Sequence, residues 1–350
     1  MYLHALATAV PPAILTQQEC WEIVQRSKVR ERLKKRSMLI LQSILKGDHG
    51  IATRHFAMPA IEDVFDLTSD QLNAAYRAEG PKLAARALSA ALEKSGIKPA
   101  ELDALLICSC TGYLCPGLTS YVAELLGLRP NVFLQDLVGL GCGAAIPTLR
   151  AASYVLAAQP SATVACVAIE MCSAAFYLDD DPGVLISACL FSDGAAATIW
   201  RASPGPSGLA CFDFNTLHLP ADRDKLRFEQ RDGKLRNLLH RSVPELAADA
   251  VARLWAERGP RPVARVVTHP GGRDVLEALE PVLAPHLLEA SALMLRNHGN
   301  MSSPAVLFAL EETLKTTVPS DAGDLWLISF GAGFSAHSCR IGLPACQPLP

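Results

Sequence analysis

The stretch Val138–Ala145 most constrains the fold of this chain, because it sets a single cysteine between glycines where an apolar run changes to a helical pattern. Upstream, Asn131–Leu134 predicts a buried strand, and downstream, Ala144–Leu156 has alanines and leucines at helical spacing. We expect Cys142 at the N-terminus of that helix, where unpaired N–H groups and the helix dipole favour a thiolate. Because the chain has eleven cysteines, a plain packing role for Cys142 also fits this motif alone.

Two later turns carry a histidine and an asparagine. His269 follows the β-branched run Val266–Thr268 and precedes a Pro-Gly-Gly turn, and Asn300 precedes an apolar helix predicted at Ala305–Leu310. An α/β protein gathers distant residues into one pocket at strand ends and helix starts, and Cys with His and Asn suits thioester chemistry. Taken singly, His269 also fits a buried core histidine, and Asn300 also fits a helix cap.

Five motifs follow one another in an order that resembles the type III polyketide synthases, the chalcone and stilbene synthase group. They are Gly141–Ala144, Leu190–Ala196, His269–Gly272, Gly299–Ser303 and Phe330–Gly333. The resemblance covers nearly the whole chain and implies an α/β fold of the thiolase type, a five-layered αβαβα body made of two similar halves. We assign residues 1–205 to the half that carries Cys142 and residues 206–350 to the half that carries His269 and Asn300, with a linker at Ser203–Gly208.

The resemblance also implies a reaction. Cys142, as a thiolate paired with His269 as imidazolium, would take the acyl group of a CoA thioester. Malonyl-CoA would lose CO₂ while His269 Nε2 and the Asn300 amide stabilise the enolate as an oxyanion hole, and the carbanion would attack the Cys142 thioester. Phe191 matches a family phenylalanine that orients malonyl-CoA. The scheme uses no metal and no cofactor, and the poly-β-keto chain would cyclise in the same cavity to a pyrone or a resorcinol-type product.

The starter group is predicted from positions that line the cavity in the family. Cys110 stands where plant enzymes have a threonine, Cys115 replaces a methionine that reaches into the partner's cavity, and Cys172 and Ala175 replace two threonines. Such small apolar linings favour an alkyl tail over a phenol, because a buried hydroxyl without a partner is costly. We therefore predict a medium- or long-chain fatty acyl-CoA starter, as in bacterial alkylpyrone and alkylresorcinol synthases. Further lining positions are Ser302, Gly331 and Gly333.

The resemblance implies a homodimer that acts on small-molecule CoA thioesters, and it leaves open an acyl carrier protein as the starter donor. Three alternatives remain. A β-ketoacyl-ACP synthase III uses the same residue types for a single condensation. A hydroxymethylglutaryl-CoA synthase needs a glutamate as general acid, for which no comparable motif is found, and a silent thiolase-fold subunit needs no reactive cysteine. The Gly299–Ser303 and Phe330–Gly333 motifs favour the polyketide synthase.

Composition limits the partners. Half of the 350 residues are hydrophobic, which is enough for a large core, and a formal net charge of −3 argues against nucleic acid or a membrane surface as partner. No segment has the pattern of a signal peptide or of a ~20-residue apolar span, so we expect a cytoplasmic protein with reduced cysteines. Cys108, Cys110 and Cys115 lack a second ligand pair, so no zinc site is expected. The most basic stretch, Arg30–Arg54, fits a solvated helical face or, from the resemblance, a contact with the phosphates of coenzyme A.

Hydrophobic patterning predicts further elements along the chain. A helix starts at Thr16 or Gln17, with Thr16 as its cap, and ends near Ser27. Another helix is predicted at Pro81–Ser95. Strands are predicted at Tyr2–Val10, Ala104–Cys108, Ala195–Trp200 and Leu325–Phe330.

Overall fold

The computed structural model describes residues 1–316 and 323–342. Its strands are β1 (Tyr2–Ala9), β2 (Ala13–Thr16), β3 (Thr53–Phe56), β4 (Ala104–Cys108), β5 (Phe133–Leu137), β6 (Val164–Met171), β7 (Asp193–Arg201), β8 (Ala210–Arg223), β9 (Leu226–Arg231), β10 (Lys234–Leu239), β11 (Val263–Thr268), β12 (Asp324–Gly331) and β13 (Gly333–Gly342). Its α-helices are α1 (Gln17–Arg26), α2 (Val29–Arg32), α3 (Lys35–Lys46), α4 (Ser69–Ser95), α5 (Leu118–Leu126), α6 (Ala145–Ala158), α7 (Pro182–Leu190), α8 (Val243–Ala256), α9 (Arg273–Leu283), α10 (Glu289–His298) and α11 (Ala305–Thr316). Short 3₁₀ turns lie at Ile61–Asp63, Pro99–Glu101, Gly141–Gly143 and Cys172–Ala175.

The large sheet shows an internal repeat. Its strand order is β11-β12-β13-β8-β1-β7-β6-β4-β5. At one end, β4 and β6 are parallel and β6 and β7 antiparallel, and at the other end β11 and β12 are parallel and β12 and β13 antiparallel. Along the chain, β1, α4, β4, α6, β6 and β7 are followed by β8, α8, β11, α11, β12 and β13 in the same alternation. The two similar halves are therefore present, and the predicted linker Ser203–Gly208 lies between β7 and β8.

Alternate side chains of the strands divide the interior into three hydrophobic clusters. In β4, Leu105 and Ile107 pack with α1, α3, α4 and α5, whereas Leu106 packs with the central helices α6 and α11. In β12, Leu327 packs with the same central helices and Ile328 packs with α8 and α9. Helices thus lie outside and between two sheet regions, which confirms the five-layered αβαβα arrangement of the thiolase type.

Two predicted elements differ from the structure. The strand predicted to be buried at Asn131–Leu134 is β5, which begins at Phe133 and is mostly exposed. Its apolar run predicts a buried strand, but β5 is an edge strand that pairs only with β4 among the described residues. The helix predicted to start at Pro81 begins already at Ser69, because a capping box at Thr68 starts it and the chain continues through the proline.

The remaining predicted elements are confirmed with small shifts of their ends. The Thr16 hydroxyl accepts a hydrogen bond from the Glu19 N–H at 3.2 Å, and the Glu19 carboxylate accepts one from the Thr16 N–H at 2.7 Å, so the predicted cap of α1 is a full capping box. The predicted strands correspond to β1, β4, β7 and β12. Within the described part of the chain, no helix is long and apolar enough to cross a membrane.

Candidate active site

The turn that carries Cys142 is shaped by a close contact between two stretches of backbone. It is a 3₁₀ turn directly before α6, so the predicted place of Cys142 at a helix start is confirmed. Gly141 has φ +56°, in the left-handed region, and a Cβ at Gly331 would lie 2.5 Å from the Gly143 nitrogen. Ser329 Oγ donates to the Gly143 carbonyl at 2.9 Å. The strand β12 of the second half therefore holds the cysteine turn of the first half.

Two cavities meet at Cys142. The outer cavity has a volume of about 290 Å³, and its lining includes Cys142, Phe191, His269 and Asn300. The inner cavity has a volume of about 40 Å³, and its lining includes Cys110, Cys142, Cys172, Ala175, Phe191 and Ser302. Cys142, Phe191 and Leu226 line both cavities. The three residues predicted to be catalytic thus lie around one space, although they come from three distant turns.

His269 lies just after β11 with its ring buried. Its backbone N–H donates to the Ile328 carbonyl at 2.9 Å, and its ring packs edge-on against Phe330 with centroids 5.3 Å apart. Nδ1 is buried and has no hydrogen-bond partner among the described residues. Burial lowers the pKa of His269 to about 3, because the charged ring would lose its hydration. Burial thus opposes protonation of the ring unless a counter-charge lies beside it.

Both ends of the Asn300 amide are held. Its Nδ2 donates to the Gly271 carbonyl at 2.9 Å, and its Oδ1 accepts from the Ser302 N–H at 2.8 Å. The Asn300 backbone N–H donates to the Leu190 carbonyl at 2.9 Å. Because Oδ1 bonds to Ser302, ahead of the first residue of α11, Asn300 is not the cap of that helix. One N–H of Nδ2 is used by Gly271, and the amide has a second one.

Burial and the helix N-terminus have opposite effects on the pKa of the Cys142 thiol. The residue is 8% exposed, and burial raises the pKa of Cys142 to about 12, although a hydrogen bond with Ser302 lowers it. Burial raises the pKa of Cys142 and lowers that of His269, so for each group taken singly it favours the neutral form. The predicted thiolate paired with an imidazolium stays a prediction.

A buried carboxylate that sequence reasoning did not assign lies beside the cysteine. Glu170 in β6 is fully buried, and its Oε1 accepts from Ser303 Oγ at 2.6 Å. Its Oε2 accepts from the backbone N–H groups of Cys110 and Thr111 at 2.9 and 3.1 Å, and the Cys110 thiol donates to Oε1 at 3.3 Å. Burial raises the pKa of Glu170 and these donors lower it. The signal in the sequence is a glutamate inside an apolar strand, since glutamate is almost never fully buried unless it is paired.

Hydrogen bonds hold the segment after α7, which carries Phe191 and Asp193. Arg54 Nη1 donates to the Phe191 carbonyl at 3.0 Å. The Asp193 carboxylate accepts from the N–H groups of Ala57 and Ser173 at 2.7 and 2.8 Å. Burial raises the pKa of Asp193 to about 6, and the bonds from Ser173 and Ala57 oppose the rise. The polar residues of this motif therefore anchor the backbone, while the phenylalanine ring lines the cavities.

The residues predicted to line the cavity divide into two groups. Those that line the inner cavity are Cys110, Cys172, Ala175, Phe191 and Ser302. Gly331 and Gly333 do not line it; Ala332 between them does, because Gly331 is packed against the cysteine turn. Cys115 is exposed and lies outside both cavities of its own subunit. Its predicted reach into a partner's cavity stays a prediction.

The cations of the basic stretch lie outside both cavities. Six of them are exposed, namely Arg30, Arg32, Lys34, Lys35, Arg36 and Lys46. The seventh, Arg54, is buried and donates to the Ala188 and Phe191 carbonyls, so it has a structural role. At the outer cavity the lining instead includes Arg273 and His49.

The fold and the site define an acyl-transferring enzyme built on a duplicated thiolase-like body, with Cys, His and Asn around one cavity. Residues 11–217 match the family model described as FAE1/type III polyketide synthase-like protein, and residues 218–339 match the model of the chalcone and stilbene synthase C-terminal domain. The chain belongs to the type III polyketide synthase family. This confirms the family predicted from the five motifs over the three alternatives.

Individual relatives are bacterial enzymes that make aromatic products. The chain is 30% identical over 348 residues to a 1,3,6,8-tetrahydroxynaphthalene synthase of Streptomyces peucetius subsp. caesius, covering 95% of this chain and 90% of the relative. It is 29% identical to a 3,5-dihydroxyphenylacetyl-CoA synthase of Streptomyces toyocaensis, over 72% of this chain and 69% of the relative. The crystal structure of the tetrahydroxynaphthalene synthase of Streptomyces coelicolor A3(2) superposes with a TM-score of 0.87 at 26% identity, covering 98% of this chain and 99% of that one.

Proposed function

We propose that Cys142 accepts an acyl group from a CoA thioester and that malonyl-CoA extends it by decarboxylative condensation. The observation that carries this proposal is that Cys142, His269 and Asn300 line one cavity of about 290 Å³. The Asn300 amide, oriented by Gly271 and Ser302, has one N–H left for a thioester oxygen. A preorganised donor of this kind stabilises the enolate formed when CO₂ leaves, without any metal or cofactor.

The pKa shifts bear on how the proton moves. Because burial raises the pKa of Cys142 and lowers that of His269, we propose that the ring acts as the base that takes the thiol proton when the thioester is attacked. The same ring, once protonated, donates to the oxygen on which negative charge develops. The predicted resting ion pair would give the same products at each step.

The size of the inner cavity bears on the starter. Its lining is apolar enough for an alkyl group, in line with the predicted fatty acyl starter, but its volume of about 40 Å³ is only a few times the ~10–15 Å³ that a single water needs on the same measure. A further apolar cavity of about 20 Å³ lies beyond Phe176 and Ala188, which line both spaces. We therefore propose a short starter in the conformation described and a medium- or long-chain acyl group only when Phe176 turns aside.

The products of relatives support a short starter. The names tetrahydroxynaphthalene and dihydroxyphenylacetyl-CoA describe aromatic rings without a long alkyl tail. A chain of malonyl units on a short starter, cyclised in the space around Cys142, would give a product of that kind. A pyrone or a resorcinol with an alkyl tail is the product expected if the longer starters are accepted.

We also propose that two copies pair along β5. This strand is at the end of the sheet, and Phe133 and Val138 are 51% and 61% exposed. An edge strand with exposed apolar side chains is a surface that native proteins normally cover. Size-exclusion chromatography with light scattering tests the pairing: Phe133→Lys should shift the mass to that of one chain, whereas Leu287→Lys, a change at another exposed leucine, should leave it.

The coenzyme would enter through the outer cavity. Arg273 and His49 belong to its lining. The Arg273 Nη1 donates to the Asp48 carbonyl at 2.6 Å and its Nε lies 3.4 Å from Oε1 of Glu277, and we propose that the other N–H groups of this partly exposed guanidinium contact a phosphate of coenzyme A. The exposed cations at 30–36 lie outside the cavity, and they suit an acidic carrier protein as an alternative starter donor. Comparing starters on CoA and on carrier protein separates these two sources.

The experiment that tests the proposed function is a mass-spectrometric product screen. The purified protein is incubated with malonyl-CoA and with acyl-CoA starters from acetyl to palmitoyl, beside a Cys142→Ala control. Cyclised products with two or more extensions that depend on Cys142 are expected, with the highest rates for short starters. A single β-ketoacyl product, or activity only with malonyl on a carrier protein, would contradict the proposal.

A further inference from the structure

Two histidines from distant parts of the chain form a pair behind the cavities. His55 lies in β3, and His298 is the last residue of α10. Nδ1 of His298 is 3.1 Å from Nε2 of His55, and the two rings stack with centroids 5.1 Å apart. His55 Nδ1 is 3.4 Å from the Pro11 carbonyl, which only accepts, so in the neutral pair His55 Nε2 accepts the N–H of His298. Neither histidine lines the outer or the inner cavity.

Hydrogen bonds connect this pair to the site by a closed path. The His55 N–H donates to Ser192 Oγ at 2.7 Å, and Ser192 Oγ donates back to the His55 carbonyl at 3.1 Å. The Ser192 N–H donates to the Asn300 carbonyl at 2.9 Å. Asn300 comes two residues after His298, so the path returns to the pair through the chain itself. Ser192 also directly follows Phe191, so both Asn300 and Phe191 are attached to this ring of contacts.

Two neighbouring residues pack closely against this ring of contacts. Arg54, next to the pair in β3, is buried and donates from Nη1 to the Ala188 and Phe191 carbonyls at 2.7 and 3.0 Å. Gly299 has φ +70°, and a Cβ there would lie 2.9 Å from Cγ of Arg54. The turn that leads from α10 to Asn300 is therefore in close contact with β3, the strand that carries His55.

The surroundings favour two neutral rings. Burial lowers the pKa of His298 to about 4, and the nearby His55 and Lys315 lower it further, while Glu312 and Glu311 raise it. Burial also lowers the pKa of His55, against hydrogen bonds to the backbone that raise it. The hydrogen bond between the rings is therefore intact near pH 7.

We infer that the His55–His298 hydrogen bond positions the Asn300 amide and Phe191 for malonyl-CoA decarboxylation without touching substrate. The inference rests on the proposed function, which gives Asn300 its role at the enolate. The cysteine turn is held by other contacts, those of Ser329 and Gly331. Loss of the histidine pair therefore slows decarboxylation, whereas acylation of Cys142 by a starter continues.

Two substitutions of one residue separate positioning from packing. His298→Phe keeps an aromatic ring but removes Nδ1, and His298→Asn keeps an N–H donor near the place of Nδ1. Release of CO₂ from malonyl-CoA and acylation of Cys142 by acetyl-CoA, read from the intact mass, are measured for each variant. His298→Phe should lower decarboxylation by about tenfold to a hundredfold with acylation within about twofold, as expected for a displaced catalytic group. His298→Asn should recover most of the loss.

Controls keep the outcome decisive. His286→Phe changes a histidine that packs on Trp255, away from the ring of contacts, and should change neither rate. If His298→Phe does not fold, Ser192→Ala breaks the same path at the hydroxyl and should give the same split. Equal losses in both rates, or no loss in a folded variant, would overturn the inference. Absence of decarboxylation and acylation in the wild-type protein would instead contradict the proposed function.

Discussion

The two halves of the molecule each bury a polar side chain near the site, and the two side chains differ in how they are bonded. In the first half, the buried carboxylate of Glu170 is surrounded by donors from Cys110, Thr111 and Ser303. In the second half, His269 is as deeply buried, yet its Nδ1 has no partner in the described part of the chain. The Glu170 carboxylate is held by donors from both halves, because Ser303 belongs to the second half, whereas His269 keeps a ring nitrogen without a partner in the described residues. The repeat therefore supplies the scaffold, and the unequal use of its turns supplies the reaction.

The largest expected effect tests whether the halves carry separable steps. Cys142→Ala should abolish condensation and leave measurable decarboxylation of malonyl-CoA, because His269 and Asn300 of the second half remain. Carbon dioxide release and product formation are assayed on the same sample. Cys211→Ala, at a buried cysteine of β8, serves as the matched control. Complete loss of decarboxylation in a folded Cys142→Ala protein would show that the second half does not act alone.

A change at Glu170 tests how much the donors around its carboxylate stabilise the fold. Glu170→Gln replaces one acceptor oxygen by an NH₂ group that faces donors, so we expect a loss of about 1–3 kcal/mol in the free energy of unfolding. Urea unfolding followed by circular dichroism measures it. The exposed Glu62→Gln should be neutral by comparison. An unchanged unfolding midpoint for Glu170→Gln would mean that the cluster contributes little.

The pH dependence of Cys142 reactivity tests whether the thiol is neutral at rest. Because burial raises the pKa of Cys142 above its ordinary value, its thiolate fraction should grow about tenfold per pH unit between pH 7 and pH 9. The rate of alkylation by iodoacetamide, followed by peptide mass spectrometry, should rise in parallel. An alkylation rate that is already constant above pH 7 would instead support the predicted thiolate paired with an imidazolium.

The smallest effects concern the inner cavity, where most of the lining residues come from the first half. Phe176→Ala should join the inner cavity to the apolar space beyond it and raise the rate with octanoyl or longer starters by a few fold relative to acetyl. Cys172→Phe should fill the inner cavity and favour the shortest starter. Competition assays with mixed acyl-CoA substrates measure both. Unchanged starter preference in Cys172→Phe would show that the lining is assigned wrongly.

Sequence reasoning located the site through residues whose local chemistry is distinctive. Cys142 between glycines, His269 before Pro-Gly-Gly and Asn300 before an apolar helix each mark a turn, and turns of an α/β fold meet at one edge of a sheet. The family motifs then supplied roles that spacing alone does not give. The position of each turn was therefore predictable before any coordinates.

What sequence reasoning missed depends on contacts between distant residues. Glu170 lies close in sequence to Cys172 and Ala175, and only the fold shows that donors from two other turns surround it. The protonation state of Cys142 depends on burial, which its glycine-rich turn does not reveal. The exposure of β5 follows from its place at the end of the sheet, and an apolar run does not distinguish an edge strand from an interior one.

The seam between Gly143 and the strand β12 bears on the order in which the enzyme matures. Ser329, which holds the cysteine turn, lies 186 residues further along the chain than Gly143. During synthesis the cysteine leaves the ribosome long before the strand that shapes its turn exists. The nucleophile is therefore present early but acquires its working geometry only when the second half has folded, so a truncated product would carry a cysteine without an active site.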